Sequence, residues 1–493
     1  MRPKIRGMLH LRNFMIGTHP VHKAPPSERV SLKTRIGWGC GGVADNYIMN
    51  TLNALGLLLY VDFFKVSPVL AGTALFIPRF IDALIDPIVG NISDNTRSRW
   101  GRRRPYMVFG AVFSAVLLPF LWMPPFAGTA GNVWYFNGPF LWLVVMGLIY
   151  TLAYTLFVVP YTALGYELTN DYDERTRVLA WRMYIGLAAS MTVPWLYRWC
   201  TLDFFPNEII GARWVSVWVG VVIIITGLLP VFLCREREDV KHQETIKIVE
   251  AMKCTLTNKP FLILLVAYLI IIVGLFSAGN LGFFINIYYV CQGDKAFAGK
   301  LGGLCGTIGA IVSYLSMFIV TAVSVRFSKK VAMILGLSFA LAGVIGAWWA
   351  MDPRWPYGQV LTTIISMLGL QGCWLMVSSM VADICDEDEL ITGRRREGMF
   401  GAVNGFVLKA ALALTSLIGG WLLTFSGFDP NTASTGISVE TALMMKNLII
   451  GFQVVALIAA IVVFAFYPIS RKRAEETRRI LEDRKKAGGF YKQ

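Results

Sequence analysis

The sequence predicts an all-α membrane protein of twelve spanning helices, arranged as two six-helix bundles with both termini in the cytoplasm. Three observations carry that prediction. Of the 493 residues, 55% are hydrophobic and only 16% charged, with a mean hydropathy of +0.56, whereas soluble domains of this size carry roughly a quarter of their residues charged. Apolar runs of about 20 residues or more, the length that crosses a bilayer, recur along the whole chain. Lys and Arg are biased to alternate connectors: 36 of the 46 lie in the N-terminal arm, after even-numbered spans or in the tail, and seven lie on the opposite side. The net charge of +15 therefore marks cytoplasmic loops, not a nucleic-acid surface.

The arm, 1–35, is polar and basic and lacks the apolar core and cleavage site of a signal peptide, so the first helix directs insertion. Apolar runs follow near 37–64, 67–92, 106–125, 139–165, 178–200 and 213–234. A polar connector, 235–260, is the only interior break of its size and separates a first bundle, 36–234, from a second, 261–469. The second repeats the count near 261–290, 299–324, 331–350, 358–382, 398–425 and 441–469, and a basic tail, 470–493, closes the chain. The eight cysteines form neither a CxxC pair nor a Cys/His cluster, so neither a zinc site nor a disulfide framework is expected. There is no Walker phosphate loop, which argues against ATP drive. Neither enzymatic chemistry nor a bound cofactor is expected.

Ionisable groups inside a bilayer are costly and default to function. Asp45 lies in the first span, Arg79, Asp82 and Asp86 in the second, Arg182 in the fifth and Lys409 in the eleventh. Asp82 and Asp86, four apart, share one helix face, with Arg79 a turn before. Two close carboxylates can share a cation, or a single proton when repulsion raises one pKa, which makes a coupling site for H+ or Na+. The plainer alternatives are a buried Arg79–Asp82 salt bridge that fixes packing, and pairing of Arg182 and Lys409 with Asp45.

The connector after the second span, GNISDNTRSRWGRRRP, holds Asp94 and Arg97, Arg99, Arg102, Arg103 and Arg104 between Gly90, Gly101 and Pro105. Such a tight turn can pair its charges with facing helix ends and latch one orientation, although a charge run is more often a solvated loop. After the fourth and tenth spans the chain twice leaves through an acid, Glu167 or Asp383, passes an acidic cluster and meets arginines before a Gly-bearing helix. The run Asp386, Glu387, Asp388, Glu389 with Arg394, Arg395 and Arg396 is the expected counterpart of the first latch. A weak repeat at matching positions of two six-helix halves is expected of a carrier that rocks two bundles about a midplane site. Gly299, Gly302, Gly303, Gly306 and Gly309 recur every three or four residues and let another helix approach. Trp374, near the middle of the tenth span, is placed to stack on a sugar ring if it faces a polar cavity.

With Asp82, Asp86, Pro87, Gly90 and NTRSRWGRRRP in view, and MVAD at 380–383, the chain resembles the glycoside-pentoside-hexuronide:cation symporter family, whose best-known member is the melibiose permease. The resemblance extends over about residues 36–470 and implies the major facilitator fold with uptake of a sugar or glycoside driven by a monovalent cation. It implies that Asp82 and Asp86 are the coupling-cation carboxylates and Thr155 a further residue of that site. Asp45 and Arg182 resemble the family's sugar-binding pair, Trp374 its sugar-facing tryptophan, and Lys409 a lysine that touches both sites. Ile85 and Val158 replace an Asn and an Asp of the melibiose permease, removing two oxygen ligands, and a Na+ site wants several oxygens. A proton needs one carboxylate, so H+ is expected over Na+. Thr162 and Ala44 replace a Trp and a Lys, which argues against an α-galactoside pocket, and the charge balance of the cavity suits a hexuronide.

The expectation is a monomeric cation-coupled symporter of a sugar, glycoside or hexuronide in the cell membrane, working by alternating access, with no nucleic-acid partner. Arg79, Asp94, Arg99, Arg102, Arg103, Arg104 and Asp383 are its expected gating residues, the arginine loop latching the outward-facing form. Two rivals are a lysolipid carrier of the same fold, which needs an apolar lateral opening, and a non-transporting sugar sensor.

Overall fold

A computed structural model describes residues 28–125, 137–169, 171–236, 252–253, 255–394, 396–431 and 437–486. Among them are twelve long helices: α1 (Leu32–Asp62), α2 (Pro68–Asn95), α3 (Arg104–Phe120), α4 (Gly138–Glu167), α5 (Tyr172–Thr192), α6 (Glu208–Leu233), α7 (Lys259–Ile285), α8 (Lys295–Arg326), α9 (Lys329–Ala350), α10 (Gly358–Thr392), α11 (Glu397–Phe425) and α12 (Val439–Ala465). A thirteenth, α13 (Arg471–Lys486), follows. Their starts are local: Ser31, Asn137, Asp171, Asn207, Asn258, Asp294, Ser328 and Ser438 each accept an orphan N–H of the first turn.

Nine of these helices, α2, α4 and α6 to α12, are long and apolar enough to cross a membrane. The other three fall short for visible reasons. The apolar α3 has 17 residues. α1 carries Asp45, Asn46, Asn50 and Asn53, and α5 carries Glu174, Arg175, Arg177 and Arg182. Pro194 ends the α-helical hydrogen bonding of the fifth predicted span, which continues as a 3-10 turn, Val193–Trp195, and a short helix, Leu196–Cys200. The connector expected after the tenth span is largely helix: α10 runs through the acidic cluster to Thr392, where Gly393 adopts φ 69° and closes it.

The helix pairs repeat with an offset of six. Contacts α1·α6, α1·α5, α2·α4, α3·α4 and α3·α6 recur as α7·α12, α7·α11, α8·α10, α9·α10 and α9·α12. The two sets meet through α2·α11 and through the α5 extension on α8, which exchange under the same offset. The start of α1 meets the end of α6 (Thr34 Oγ1 to the Leu233 carbonyl, 3.4 Å), and the start of α9 meets the end of α12 (Lys330 Nζ to the Ala465 carbonyl, 2.7 Å). The chain thus enters and leaves at one end, the terminus end.

Between the sets, small residues let backbones touch. A Cβ on Gly420 of α11 would stand 2.3 Å from the Pro68 carbonyl oxygen, and one on Gly303 of α8 would stand 2.5 Å from the Trp195 ring. At Gly401, nearer the start of α11, a Cβ would meet nothing within 4 Å. Gly420→Leu should therefore destabilise by about 1–3 kcal/mol and Gly401→Ala should not, read as midpoints of thermal unfolding in detergent.

Candidate functional site

On α2, Asp82 is 7% exposed and accepts hydrogen bonds from Thr155 Oγ1 of α4 and from Lys409 Nζ of α11, the latter at 2.8 Å. Lys409 also pairs with Asp86, one turn further along α2. One lysine from the second half thus sits between two carboxylates of the first, leaving the trio one negative charge in excess. The remaining Asp86 oxygen, Oδ1, is buried and has no hydrogen-bond partner. A buried polar atom without a partner is expensive, and a proton or a small cation would relieve it. Arg79 does not form the alternative ion pair with Asp82; its guanidinium donates to the Met49 carbonyl at 3.2 Å and lines a small cavity with Asp82, Tyr150, Tyr154 and Lys409.

A second cluster joins α1, α4 and α5. Arg182 pairs with Asp45 at 2.7 Å, and the other Asp45 oxygen accepts from Tyr154 Oη at 3.0 Å. The guanidinium lies 5.2 Å from the Tyr161 ring centroid and 5.8 Å from that of Trp38. Those rings are fixed to each other, Tyr161 Oη donating to the Trp38 carbonyl at 2.9 Å and Trp38 Nε1 to the Tyr161 carbonyl at 3.2 Å. Arg182 is therefore the partner of Asp45, and Lys409 is not. Consecutive residues of α4 reach both clusters: Tyr154 holds Asp45, and Thr155 holds Asp82. Asp45, Asp82, Asp86, Arg79, Arg182, Lys409 and Thr155 are thus brought together around α4, whereas Trp374 packs edge-on against Tyr268 (5.6 Å) and Phe276 (6.3 Å) of α7.

The residues expected to gate divide. At the terminus end Arg103 pairs with Asp94 at 2.6 Å and with Glu167 at 2.9 Å, and Arg102 pairs with Glu167 at 2.8 Å. The backbone N–H groups of Arg102, Arg103 and Arg104 all donate to the Glu236 carboxylate, at 2.8, 3.0 and 3.1 Å, so this acid caps α3. The Arg104 side chain donates to the Cys234 carbonyl. Arg99 is exposed beside Trp100 and stands outside this lock. In the second half, Asp383, at the position matching Glu167, takes Lys329 of α9 at 2.5 Å and Arg478 of α13 at 3.0 Å. Arg395 of the run expected as the counterpart lies outside the described residues. The acidic run serves the tail and its own helix end: Glu387 pairs with Arg473, Asp386 with Arg478 at 3.3 Å, and Asp388 with Arg396 at 2.5 Å.

Sequence reasoning missed Tyr154, Trp38, Tyr161 and Glu236. Aromatics fill every span, and only the crossing of α1 over α4 and α5 distinguishes these three. Among the described residues no group of three or more His, Cys, Asp or Glu could hold a metal ion.

Residues 37–471 match a protein family described as MFS/sugar transport protein. The uncharacterized symporter YnaJ of Bacillus subtilis (strain 168) is 27% identical, with 93% of this chain and 96% of that one aligned. The glucuronide carrier protein homolog of Escherichia coli (strain K12) is also 27% identical, over 93% and 97% of the two chains. Among solved structures, a bacterial homologue of the iron transporter ferroportin in its inward-facing state superposes with a TM-score of 0.64 at 16% identity, over 89% of this chain and 99% of that one. That likeness shows the fold. The chain is a carrier and not an enzyme, a multi-pass integral membrane protein of the cell membrane that moves small solutes as a secondary transporter. With a family match over nearly the whole helical part, the chain belongs to the MFS/sugar transport protein family.

Proposed function

We propose that this chain is a symporter of a sugar, glycoside or hexuronide coupled to H+ rather than Na+, of the glycoside-pentoside-hexuronide:cation group. Its twelve helices cross the membrane as two six-helix bundles, 36–234 and 261–469, with both termini, the 235–260 linker and the tail in the cytoplasm. The observation that carries the reading is Lys409 between Asp82 and Asp86, with a buried Asp86 oxygen left unpartnered. Loading a proton there removes the excess negative charge and loosens a tie between the two halves. The ion is held by Asp82, Asp86 and Thr155, and the substrate by Asp45 and Arg182. Lys409 senses both occupancies, and Trp374 joins the sugar from the second half once the halves close on it. Asp94, Arg102, Arg103, Glu167, Lys329 and Asp383 keep each half rigid at the cytoplasmic end while the halves rock.

Right-side-out vesicles carrying the chain should alkalinise the medium when a transported glycoside or hexuronate is added without Na+. Uptake that requires Na+ and moves no protons would overturn the choice of ion. One observation favours a second reading, an amphiphile carrier: an apolar groove at the end opposite the termini, lined by Tyr47, Trp199, Phe204, Phe205, Trp214 and Trp218. Competition by a lysolipid, with no response to any polar sugar, would select it.

A further inference from the structure

At the end opposite the termini, one lysine of the second half again stands between two carboxylates of the first. Lys295, the first residue of α8, pairs with Asp62 at the end of α1 at 2.5 Å and with Glu208 at the start of α6 at 2.6 Å. Tyr288, in the turn that continues α7, donates to the same Asp62, and Tyr197 donates to Glu208 at 2.8 Å. Asp62 is 4% exposed. The surrounding contact between halves is tight: Trp195 Nε1 donates to Thr307 Oγ1 of α8 at 2.8 Å, and the Tyr197 and Phe283 rings meet edge-on at 5.1 Å. The terminus end differs. Its pairs Arg103–Glu167, Lys329–Asp383 and Arg478–Asp383 each stay within one half, and Gly401 and Gly405 of α11 meet nothing within 4 Å.

We propose that Asp62, Glu208 and Lys295 form a releasable ionic tie between the halves that holds the cavity shut at the end opposite the termini. The inference rests on the alternating-access reading and on that end being the extracellular one. The buried Asp62 carboxylate is partnered by Lys295 and Tyr288, and when the halves part only water can replace them. The tie can be released because it lies at helix ends rather than at mid-membrane, and because Glu208, in the first turn of α6, keeps the favourable field of that helix N-terminus when Lys295 leaves. The tie thus sets how often the carrier opens outward, separately from the Lys409 trio, which answers to the coupling ion.

The test is the distance between spin labels on Asp203→Cys and Arg354→Cys, in the outer connectors of the two halves, with the native cysteines replaced and no substrate present. Lys295→Ala should raise the ratio of long to short distances about tenfold, Tyr288→Phe should shift it the same way by less, and Lys295→Arg should leave it unchanged. Charge exchange that also neutralises the second acid, Asp62→Lys and Glu208→Gln with Lys295→Asp, should restore the native distribution. An unchanged distribution in both Lys295→Ala and Tyr288→Phe would overturn the tie. Opening that charge exchange fails to reverse would overturn its ionic basis and leave only packing. Distances that shift in a chain moving neither sugar nor protons would uphold the tie and remove the transport reading; proton symport with unmoved distances would do the reverse.

Discussion

Asp82→Asn should abolish gradient-driven accumulation, lowering it by about 100-fold or more, while substrate exchange across the membrane continues. The carboxylate is buried, accepts from Thr155 and is one of two acids that hold Lys409. The loss is one of coupling and not of stability, since a carrier that no longer binds the ion cannot draw on its gradient. With asparagine in place, Lys409 keeps Asp86 and the trio no longer carries excess negative charge, so the drive to take up a coupling proton falls. Asp45 and Arg182 are untouched, which is why counterflow with no ion gradient should survive. Loss of counterflow together with accumulation would place Asp82 in substrate binding or folding. Full accumulation would remove it from coupling.

Arg182→Gln should weaken substrate binding by about 2–4 kcal/mol, read directly by calorimetry on the purified carrier. The guanidinium is held by Asp45 below and by the Trp38 and Tyr161 faces beside it, so its planar shape matters as well as its charge. Arg182→Lys should therefore recover only part of the loss. If lysine restores full affinity, the aromatic cradle has no role in recognition. If glutamine leaves affinity unchanged, Arg182 serves only to neutralise Asp45.

Much of the fold is legible in the chain because a bilayer imposes one solution on apolar runs of this length, and the helix starts are written in the Ser, Asp and Asn residues before them. The weaker spans were also the informative ones. α1 and α5 fall short of apolar through a run of polar residues that includes Asp45 in one and Arg182 in the other, and the fifth predicted span breaks at Pro194, where α8 packs on it through Gly303 and Gly306. The repeat after the fourth and tenth helices singled out Glu167 and Asp383, and each takes two cations. The cations on Asp383 were not legible there, because Lys329 and Arg478 come from helices far away in sequence.

The sequence alone determined that this protein lives in the bilayer and which few charged side chains lie within its apolar runs, since hydropathy and charge act residue by residue. Only the tertiary structure decided the pairings: Lys409 with Asp82 and Asp86, Arg182 with Asp45, and Lys295 with Asp62 and Glu208. An ion pair depends on a distance of a few ångströms between helices that the chain separates by up to hundreds of residues, and the packing of small residues against backbone sets that distance.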